Sequence, residues 1–262
     1  MSSLTKRILT ALVFIPIVLW CLWRGGWAFF ALTLTVSLVA IFELQEMLDS
    51  MKEPVFRPLL YVASVCLLGA IHLHGELWVS PVMCAAFLAV AIGELVSPLA
   101  QPFRRGGLML LSLFYGAFLP SHFLLLRRHP QGLAYVLLVL LGTWAADTGA
   151  YFVGMRWGKH KLAPRISPNK SVEGALGGLV AAALVTGYLD SRLQIGLVPG
   201  WILGLLIALA AMTGDLFESA LKREAGVKDS GWILPGHGGV LDRIDSLLFA
   251  APAIYYLVRW LG

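Results

Sequence analysis

Charged residues are scarce in this 262-residue chain, at 13% of the sequence, whereas about a quarter of the residues in an average soluble domain are charged. Hydrophobic residues make up 58% of it, and the mean hydropathy is +0.80. This composition excludes an ordinary soluble enzyme. It predicts an all-α fold, that of a polytopic helical membrane protein.

Cysteine is also scarce, and its placement argues against two kinds of site. Cys21, Cys66 and Cys84 lie inside apolar segments and show no paired spacing. We therefore interpret them as small membrane-buried residues, and not as disulfide partners or metal ligands. The formal net charge of +5 suits anionic lipid head groups or a nucleotide, and equally a role in setting membrane orientation. No nucleic acid partner is expected.

Nine apolar segments have about the length of a membrane span, and they cover residues 8–23, 27–48, 58–74, 77–97, 107–126, 133–155, 172–190, 198–221 and 245–261. We expect about five in an N-terminal region, 1–130, and the others in a C-terminal catalytic region, 131–262. Few of the 20 lysines and arginines would lie outside if the N-terminus is cytoplasmic, namely Arg24, Arg127, Arg128, Arg192 and Arg259. This asymmetry predicts that orientation, with loops 156–171 and 222–244 both in the cytoplasm.

The eighth apolar segment ends in polar residues that share one helix face. Asp215, Glu218, Ser219 and Lys222 are spaced by three and four residues. An acid, a hydroxyl and a base on one stripe suit a metal and phosphate site. The simpler alternative is an i,i+4 ion pair between Glu218 and Lys222. Asp215 lies deeper in the segment, where a carboxylate needs a cation or another partner.

A glycine-rich segment, 235–239, precedes the ninth apolar segment. Glycines let a backbone approach a ligand closely and present N–H groups to anions. Asp242 and Asp245 then flank Arg243 at the start of the apolar segment, where capping of the helix is the alternative role for either acid. His237, as a lone loop histidine, is more often a structural residue than a base.

The sixth apolar segment carries a third motif. Asp147, Tyr151 and Gly154 keep helical spacing, so the acid, the phenol and the close-packing glycine share one face. A carboxylate in a membrane helix points to function, and a plain buried hydrogen bond is the alternative.

A fourth motif precedes the seventh apolar segment. Ser167 or Ser171 can cap the helix that follows, and Lys170 beside them would complete a small anion cradle. An ordinary capped helix with a topogenic lysine is an equal alternative. The motif is not a Walker A loop, because the order G-x-x-x-x-G-K-[ST] is absent.

Residues 219–245 resemble a family signature. Their order is Ser, two residues, Lys-Arg, four residues, Lys-Asp, then Pro-Gly-His-Gly-Gly, two residues, Asp-Arg, one residue and Asp. This order resembles that of the phosphatidate cytidylyltransferases (CDP-diacylglycerol synthases). Residues 147–154 match the D-x-x-A-Y-x-x-G pattern of that family, and residues 167–178 match its S-P-x-K-[ST]-x-x-G-x-x-G-G pattern.

The resemblance implies a Mg²⁺-dependent membrane enzyme that makes CDP-diacylglycerol and pyrophosphate from CTP and phosphatidic acid in the bilayer. We expect it in the bacterial inner membrane with its site facing the cytoplasm, and a second cation and a homodimer stay open. The expected metal ligands are Asp215 and Asp242. The candidate catalytic residues are Lys222, Arg223, Lys228, Asp229, His237, Arg243 and Asp245. The candidate substrate-binding residues are Asp147, Tyr151, Ser167, Lys170, Ser171, Glu218, Ser219, Gly238 and Gly239.

Three alternatives remain at this point: a lipid kinase, a CDP-alcohol phosphotransferase and an ion transporter. The CDP-alcohol phosphotransferase motif D-G-x-x-A-R…G…D…D is absent. A transporter could use Asp147 and Asp215, but the chain shows no repeat symmetry and its charges concentrate in loops. For an enzyme, we expect the lipid to enter between the sixth, eighth and ninth segments.

Overall fold

The computed structural model describes residues 3–52, 55–96, 102–196, 198–234 and 238–261. Its α-helices are α1 (Ser3–Arg24), α2 (Gly26–Ser50), α3 (Arg57–His74), α4 (Val79–Val96), α5 (Pro102–Leu113), α6 (Leu119–Arg128), α7 (Gly132–Trp157), α8 (Val172–Leu193), α9 (Gly200–Glu224) and α10 (Leu241–Leu261). A 3₁₀ turn, Glu76–Trp78, precedes α4, and a π-helical turn, Phe114–Phe118, joins α5 to α6.

Eight helical stretches in the described part of the chain are long and apolar enough to cross a membrane. Six of them are α2, α3, α7, α8, α9 and α10. The other two are Glu76–Val96, which contains α4, and Phe103–Arg128, which runs from α5 through α6. A shorter apolar helix, Phe14–Arg24, forms the end of α1. The predicted all-α, polytopic membrane architecture is confirmed.

A short antiparallel hairpin between α7 and α8 was not predicted. Its strands are β1 (Lys161–Ala163) and β2 (Ser167–Ser171), with Lys161 opposite Ser171 and Ala163 opposite Ser167. The β2 sequence Ser-Pro-Asn-Lys-Ser has no apolar residue to alternate with polar ones, and it contains proline. Both features hide a strand from pattern analysis.

Packing divides the chain into two compact units, and the first joins Met1–Arg128 to Ala225–Arg243. Within it, α2 packs against α3, α6 and the π-helical turn. The turn comes close to α2 at Gly116, because a Cβ there would lie 2.5 Å from Cγ1 of Ile41. The Ser37 hydroxyl donates a hydrogen bond to the Gly116 carbonyl across this contact, at 2.5 Å.

Two arginines that oppose the predicted charge asymmetry have structural roles in the first unit. Arg127 Nε donates to the carbonyl of Leu22 at 3.2 Å, and Arg128 Nη1 donates to the carbonyl of His72 at 2.8 Å. These carbonyls belong to the last turns of α1 and α3, and carbonyl groups in the last turn of a helix have no partner inside that helix. A cation is also favourable at the negative end of a helix.

The second unit joins His129–Glu224 to Ile244–Gly262. In it, α7 packs along α8, and α8 packs along α9. Small residues allow the backbones of α7 and α8 to approach: a Cβ on Gly178 would lie 2.8 Å from the Ala146 carbonyl, and one on Gly149 would lie 2.6 Å from Cβ of Ala181. The units are defined by packing, and the division of roles at residue 130 stays a prediction.

Candidate active site

A cavity of about 510 Å³ lies in the second unit, among α7, β2, α8 and α9. One part of its lining is polar and consists of Asp147, Tyr151, Asn169, Lys170, Ser171 and Asp215. Small and apolar side chains line the rest, among them Ala175, Gly178, Leu179, Ala208 and Met212. The cavity therefore has a charged region beside a surface that suits hydrocarbon. Its lining includes α8 and, in the described residues, no part of α10, although we expected the last span to border the lipid entrance.

Lys170 and Asp215 meet at the polar part of the cavity. Lys170 Nζ lies 2.5 Å from Oδ2 of Asp215, and both side chains are partly exposed. The Ser219 hydroxyl donates to the other carboxylate oxygen of Asp215, at 3.3 Å. Both oxygens of this carboxylate are thus engaged, as a carboxylate in a membrane helix requires.

Ser171 caps α8 beside Lys170. Its hydroxyl accepts a hydrogen bond from the Gly174 amide at 3.1 Å, and the residue is buried. The alternative cap, Ser167, lies at the other end of β2, away from the start of α8. The capped helix start and Lys170 both line the cavity, where the positive end of a helix and an ammonium group favour an anion. The predicted phosphate contact at this place stays a prediction.

Three carboxylates from three helices of the second unit lie within electrostatic range of one another. Asp147 of α7 interacts with Asp215 of α9 and with Asp245 of α10. Asp245 also interacts with Asp215. Lys170 is a cation within range of Asp147. Such a concentration of acids favours the binding of a cation.

Magnesium, which the resemblance implies, fits this donor set. Among the described residues, no group of three or more His, Cys, Asp or Glu side chains is close enough to hold a metal ion by itself. Mg²⁺ does not need such a cage, because it commonly binds one or two carboxylates and fills its other positions with water and substrate phosphates. Asp215, with two acids nearby, would provide such a hard oxygen ligand, and its role as a metal ligand stays a prediction.

Asp242, the second predicted ligand, belongs to the first unit. Its Oδ2 accepts hydrogen bonds from the Ser230 amide and hydroxyl, both at 3.0 Å, and from the Gly239 amide at 2.8 Å. These bonds give Asp242 a structural role in the segment before α10, which differs from the helix cap that was its alternative. Its role as a metal ligand stays a prediction.

The simpler alternative for Glu218 and Lys222 is formed. Their side chains make an ion pair at 2.7 Å, and Glu218 is only 1% exposed. Arg223, one residue further, is exposed and donates from Nε to the Ile166 carbonyl at 3.3 Å, which ties the end of α9 to the turn of the hairpin. Both basic residues therefore have structural contacts beside their predicted catalytic roles.

The remaining candidates differ in their exposure. Lys228, Asp229 and Arg243 are exposed, and Gly239 is buried. Gly238 has φ +82, a conformation that favours glycine, and it bridges to Leu234. His237 lies outside the described residues, so its predicted role stays untested.

Sequence reasoning missed Glu43. This residue of α2 is 1% exposed and accepts hydrogen bonds from the amides of Val240 and Leu241, both at 2.8 Å, and from the Ser230 hydroxyl at 3.2 Å. The signal was available, because an acid within an apolar membrane segment points to function. That argument was applied to Asp147 and Asp215 and not to Glu43.

Comparisons with known proteins agree with the motifs. A model of the cytidylyltransferase family matches residues 5–261. The phosphatidate cytidylyltransferase of Brucella melitensis is 38% identical over 260 residues, which cover 97% of this chain and 93% of that protein. The proteins of the same name from Synechocystis and Staphylococcus haemolyticus are 34% and 35% identical, and each alignment covers at least 96% of both chains. The resemblance is therefore confirmed, and the chain belongs to the cytidylyltransferase family.

Proposed function

We propose that this protein makes CDP-diacylglycerol and pyrophosphate from CTP and phosphatidic acid within the membrane. The observation that carries the proposal is the cavity of the second unit, which places Lys170 and Asp215 beside an apolar lining. A substrate with an anionic head and hydrocarbon chains matches both surfaces. The curated relatives named above bear the name of this activity, and family membership favours it over a lipid kinase, a CDP-alcohol phosphotransferase or a transporter.

The reaction needs no nucleophile from the protein. An oxygen of the phosphatidic acid phosphate attacks the α-phosphorus of CTP, the bond from that phosphorus to the bridging oxygen of the β-phosphate breaks, and pyrophosphate leaves. The protein then contributes by positioning the substrates and neutralising their charge. Mg²⁺ held by Asp215, with Asp242 as the second predicted ligand, would neutralise charge on the CTP phosphates.

Lys170 has a particular part in this scheme. Its ammonium group is paired with Asp215 at 2.5 Å. A phosphate that enters the cavity offers it a stronger anionic partner, beside the capped start of α8. If Lys170 paired with that phosphate, an oxygen of Asp215 would become available to hold Mg²⁺, so that phosphate binding and Mg²⁺ binding would favour each other.

We also propose that the site faces the cytoplasm of a bacterial inner membrane, where CTP is available. Contacts within the first unit support this topology. In the predicted orientation, the C-terminal end of α2 lies at the cytoplasmic side, and it bonds to the segment that follows α9. The Ser50 hydroxyl donates a hydrogen bond to the Ala225 carbonyl at 3.3 Å, and Glu43 accepts hydrogen bonds from the amides of Val240 and Leu241.

An assay with purified protein tests the proposed function. Protein in detergent is supplied with phosphatidic acid, labelled CTP and Mg²⁺, and CDP-diacylglycerol is measured. We expect product from the wild type, and a loss of about 10- to 100-fold in kcat/KM for Lys170→Ala, because one charge-assisted contact to phosphate is removed. Lys52→Ala, a change at an exposed residue just after α2, is the control and should retain activity. Normal turnover by Lys170→Ala would remove this lysine from the site.

A further inference from the structure

Glu43 is surrounded by hydrogen-bond donors from one distant segment. The segment consists of residues 229–234 and 238–242, and it is called the glycine loop below. All three hydrogen bonds accepted by Glu43 come from this loop. A buried carboxylate is costly unless its oxygens are satisfied by donors. The loop provides these donors to both oxygens of the side chain.

Two of the donors belong to the start of a helix. The amides of Val240 and Leu241 lie at the N-terminus of α10, where amide groups have no acceptor inside the helix. The usual acceptor is a side chain close by in sequence. Here the acceptor is 197 and 198 residues away along the chain. Glu43 therefore caps α10 from another transmembrane helix, and its charge is favourable at the positive helix end.

The glycines of the loop fit around this carboxylate. A Cβ on Gly231 would lie 2.6 Å from Oε1 of Glu43, and a Cβ on Gly239 would lie 2.6 Å from Oε2. Either distance is too short for real atoms, and both obstructing oxygens are held by hydrogen bonds. Glu43 thus accounts for glycine at position 231, and Glu43 together with the Ser230 hydroxyl, which a Cβ on Gly239 would also meet, accounts for glycine at position 239.

Ser230 connects Glu43 to Asp242. Its hydroxyl oxygen lies 3.2 Å from Oε2 of Glu43 and 3.0 Å from Oδ2 of Asp242. One hydroxyl has one proton to donate, so the two carboxylates compete for it. The Ser230 amide adds a further bond to Asp242 at 3.0 Å. A displacement of Glu43 would therefore change the hydrogen bonding of Asp242 and shift its side chain.

We propose that Glu43 is a positioning residue, which holds the glycine loop and, through Ser230, sets the place and orientation of Asp242. The inference rests on the proposed function, since that function gives Asp242 its part in binding Mg²⁺ and CTP. Glu43 itself touches no substrate in this scheme. Through Glu43, the N-terminal half of the chain would have a role in the reaction that no sequence motif indicated.

The test uses Glu43→Gln, which keeps the shape of the side chain and places an NH₂ group among N–H donors. We expect the amides of peptide 238–243 to exchange with deuterium about tenfold faster or more in the purified protein, because bonds to a charged acceptor are lost. We also expect kcat to fall and the Mg²⁺ concentration for half-maximal activity to rise. Changes to residues that orient a metal ligand typically lower metal affinity or activity by about 10- to 100-fold, and we expect an effect of this size here.

Glu46→Gln is the matched control. Glu46 lies on the same helix, its side chain is 49% exposed, and it pairs with Arg57. It should change neither the exchange of peptide 238–243 nor the Mg²⁺ dependence. Unchanged exchange in Glu43→Gln would refute the claim that Glu43 holds the loop. Faster exchange with unchanged kcat and Mg²⁺ dependence would reduce Glu43 to a structural anchor and equally overturn the proposal.

Ser230→Ala provides a second test if Glu43→Gln does not fold. It removes the hydroxyl that links Glu43 to Asp242, and it leaves in place the amide bond from residue 230 to Asp242 and the bonds from Val240 and Leu241 to Glu43. We expect a raised Mg²⁺ requirement with protection at Val240 and Leu241 retained, and an unchanged Mg²⁺ requirement would contradict the proposal. A wild-type protein that transfers no CMP would refute the proposed function, while deuterium exchange would still decide whether Glu43 holds the loop.

Discussion

Replacing Asp215 with asparagine should separate catalysis from stability. The substitution keeps the size of the side chain and removes its charge. The amide oxygen can still accept a hydrogen bond from Ser219, which lies 3.3 Å from Oδ1 of the carboxylate. The ion pair with Lys170 is lost, and so is the anionic oxygen proposed to bind Mg²⁺.

The two losses differ in size. The Lys170–Asp215 pair is partly exposed, with side-chain exposures of 23% and 33%, and pairs screened by solvent contribute about 1 kcal/mol or less to stability. Removal of one preorganised electrostatic contact to a transition state costs about 3 to 4 kcal/mol, which is about 100- to 1,000-fold in rate. Asp215→Asn should therefore be a folded protein with very little turnover.

Two measurements check this prediction. Thermal unfolding in detergent should differ little from that of the wild type, and kcat at saturating Mg²⁺ should fall by the factor given above. Asp49→Asn is the control, because Asp49 pairs with Arg57 at the exposed end of α2, and it should retain both properties. Near-normal turnover of Asp215→Asn at saturating Mg²⁺ would show that Asp215 is not a metal ligand.

Two further predictions concern packing and topology. Gly178→Ala should destabilise the protein by about 1–3 kcal/mol, because the added Cβ would lie 2.8 Å from the Ala146 carbonyl. Gly69→Ala is the control and should not destabilise it, because a Cβ at this position would meet nothing within 4 Å. Equal unfolding temperatures for the two variants would contradict the close packing of α7 and α8. Single cysteines at Lys161→Cys and Lys228→Cys, in a background without native cysteines, should both be labelled from the cytoplasmic side only, and labelling from opposite sides would break the model of a shared site.

Features that depend on neighbours in sequence were predicted well. The apolar segments follow from hydropathy over about 20 residues. The cap of α8 by Ser171 and the ion pair between Glu218 and Lys222 involve residues three or four positions apart. Such contacts are fixed once the helix forms, so the sequence contains the information needed to predict them.

Features that depend on distant contacts were not predicted. Nothing in the sequence pairs Glu43 with amides nearly 200 positions away, since any backbone amide can serve as a donor. The two arginines of α6 were interpreted only as charges that oppose the expected orientation, while in the structure they donate to the C-terminal carbonyls of α1 and α3. The hairpin was missed because its strands lack an alternating pattern. In each case the partner is a backbone group, which has no sequence signature.

The central claim is that the protein transfers CMP from CTP to phosphatidic acid. The most direct test follows two positions of the label in parallel reactions with the purified wild-type protein, phosphatidic acid and Mg²⁺. CTP labelled at the α-phosphorus should transfer its label to the lipid product, and CTP labelled at the γ-phosphorus should release its label as pyrophosphate. Label from the γ-phosphorus in the lipid, or none in the lipid from either substrate, would contradict the account.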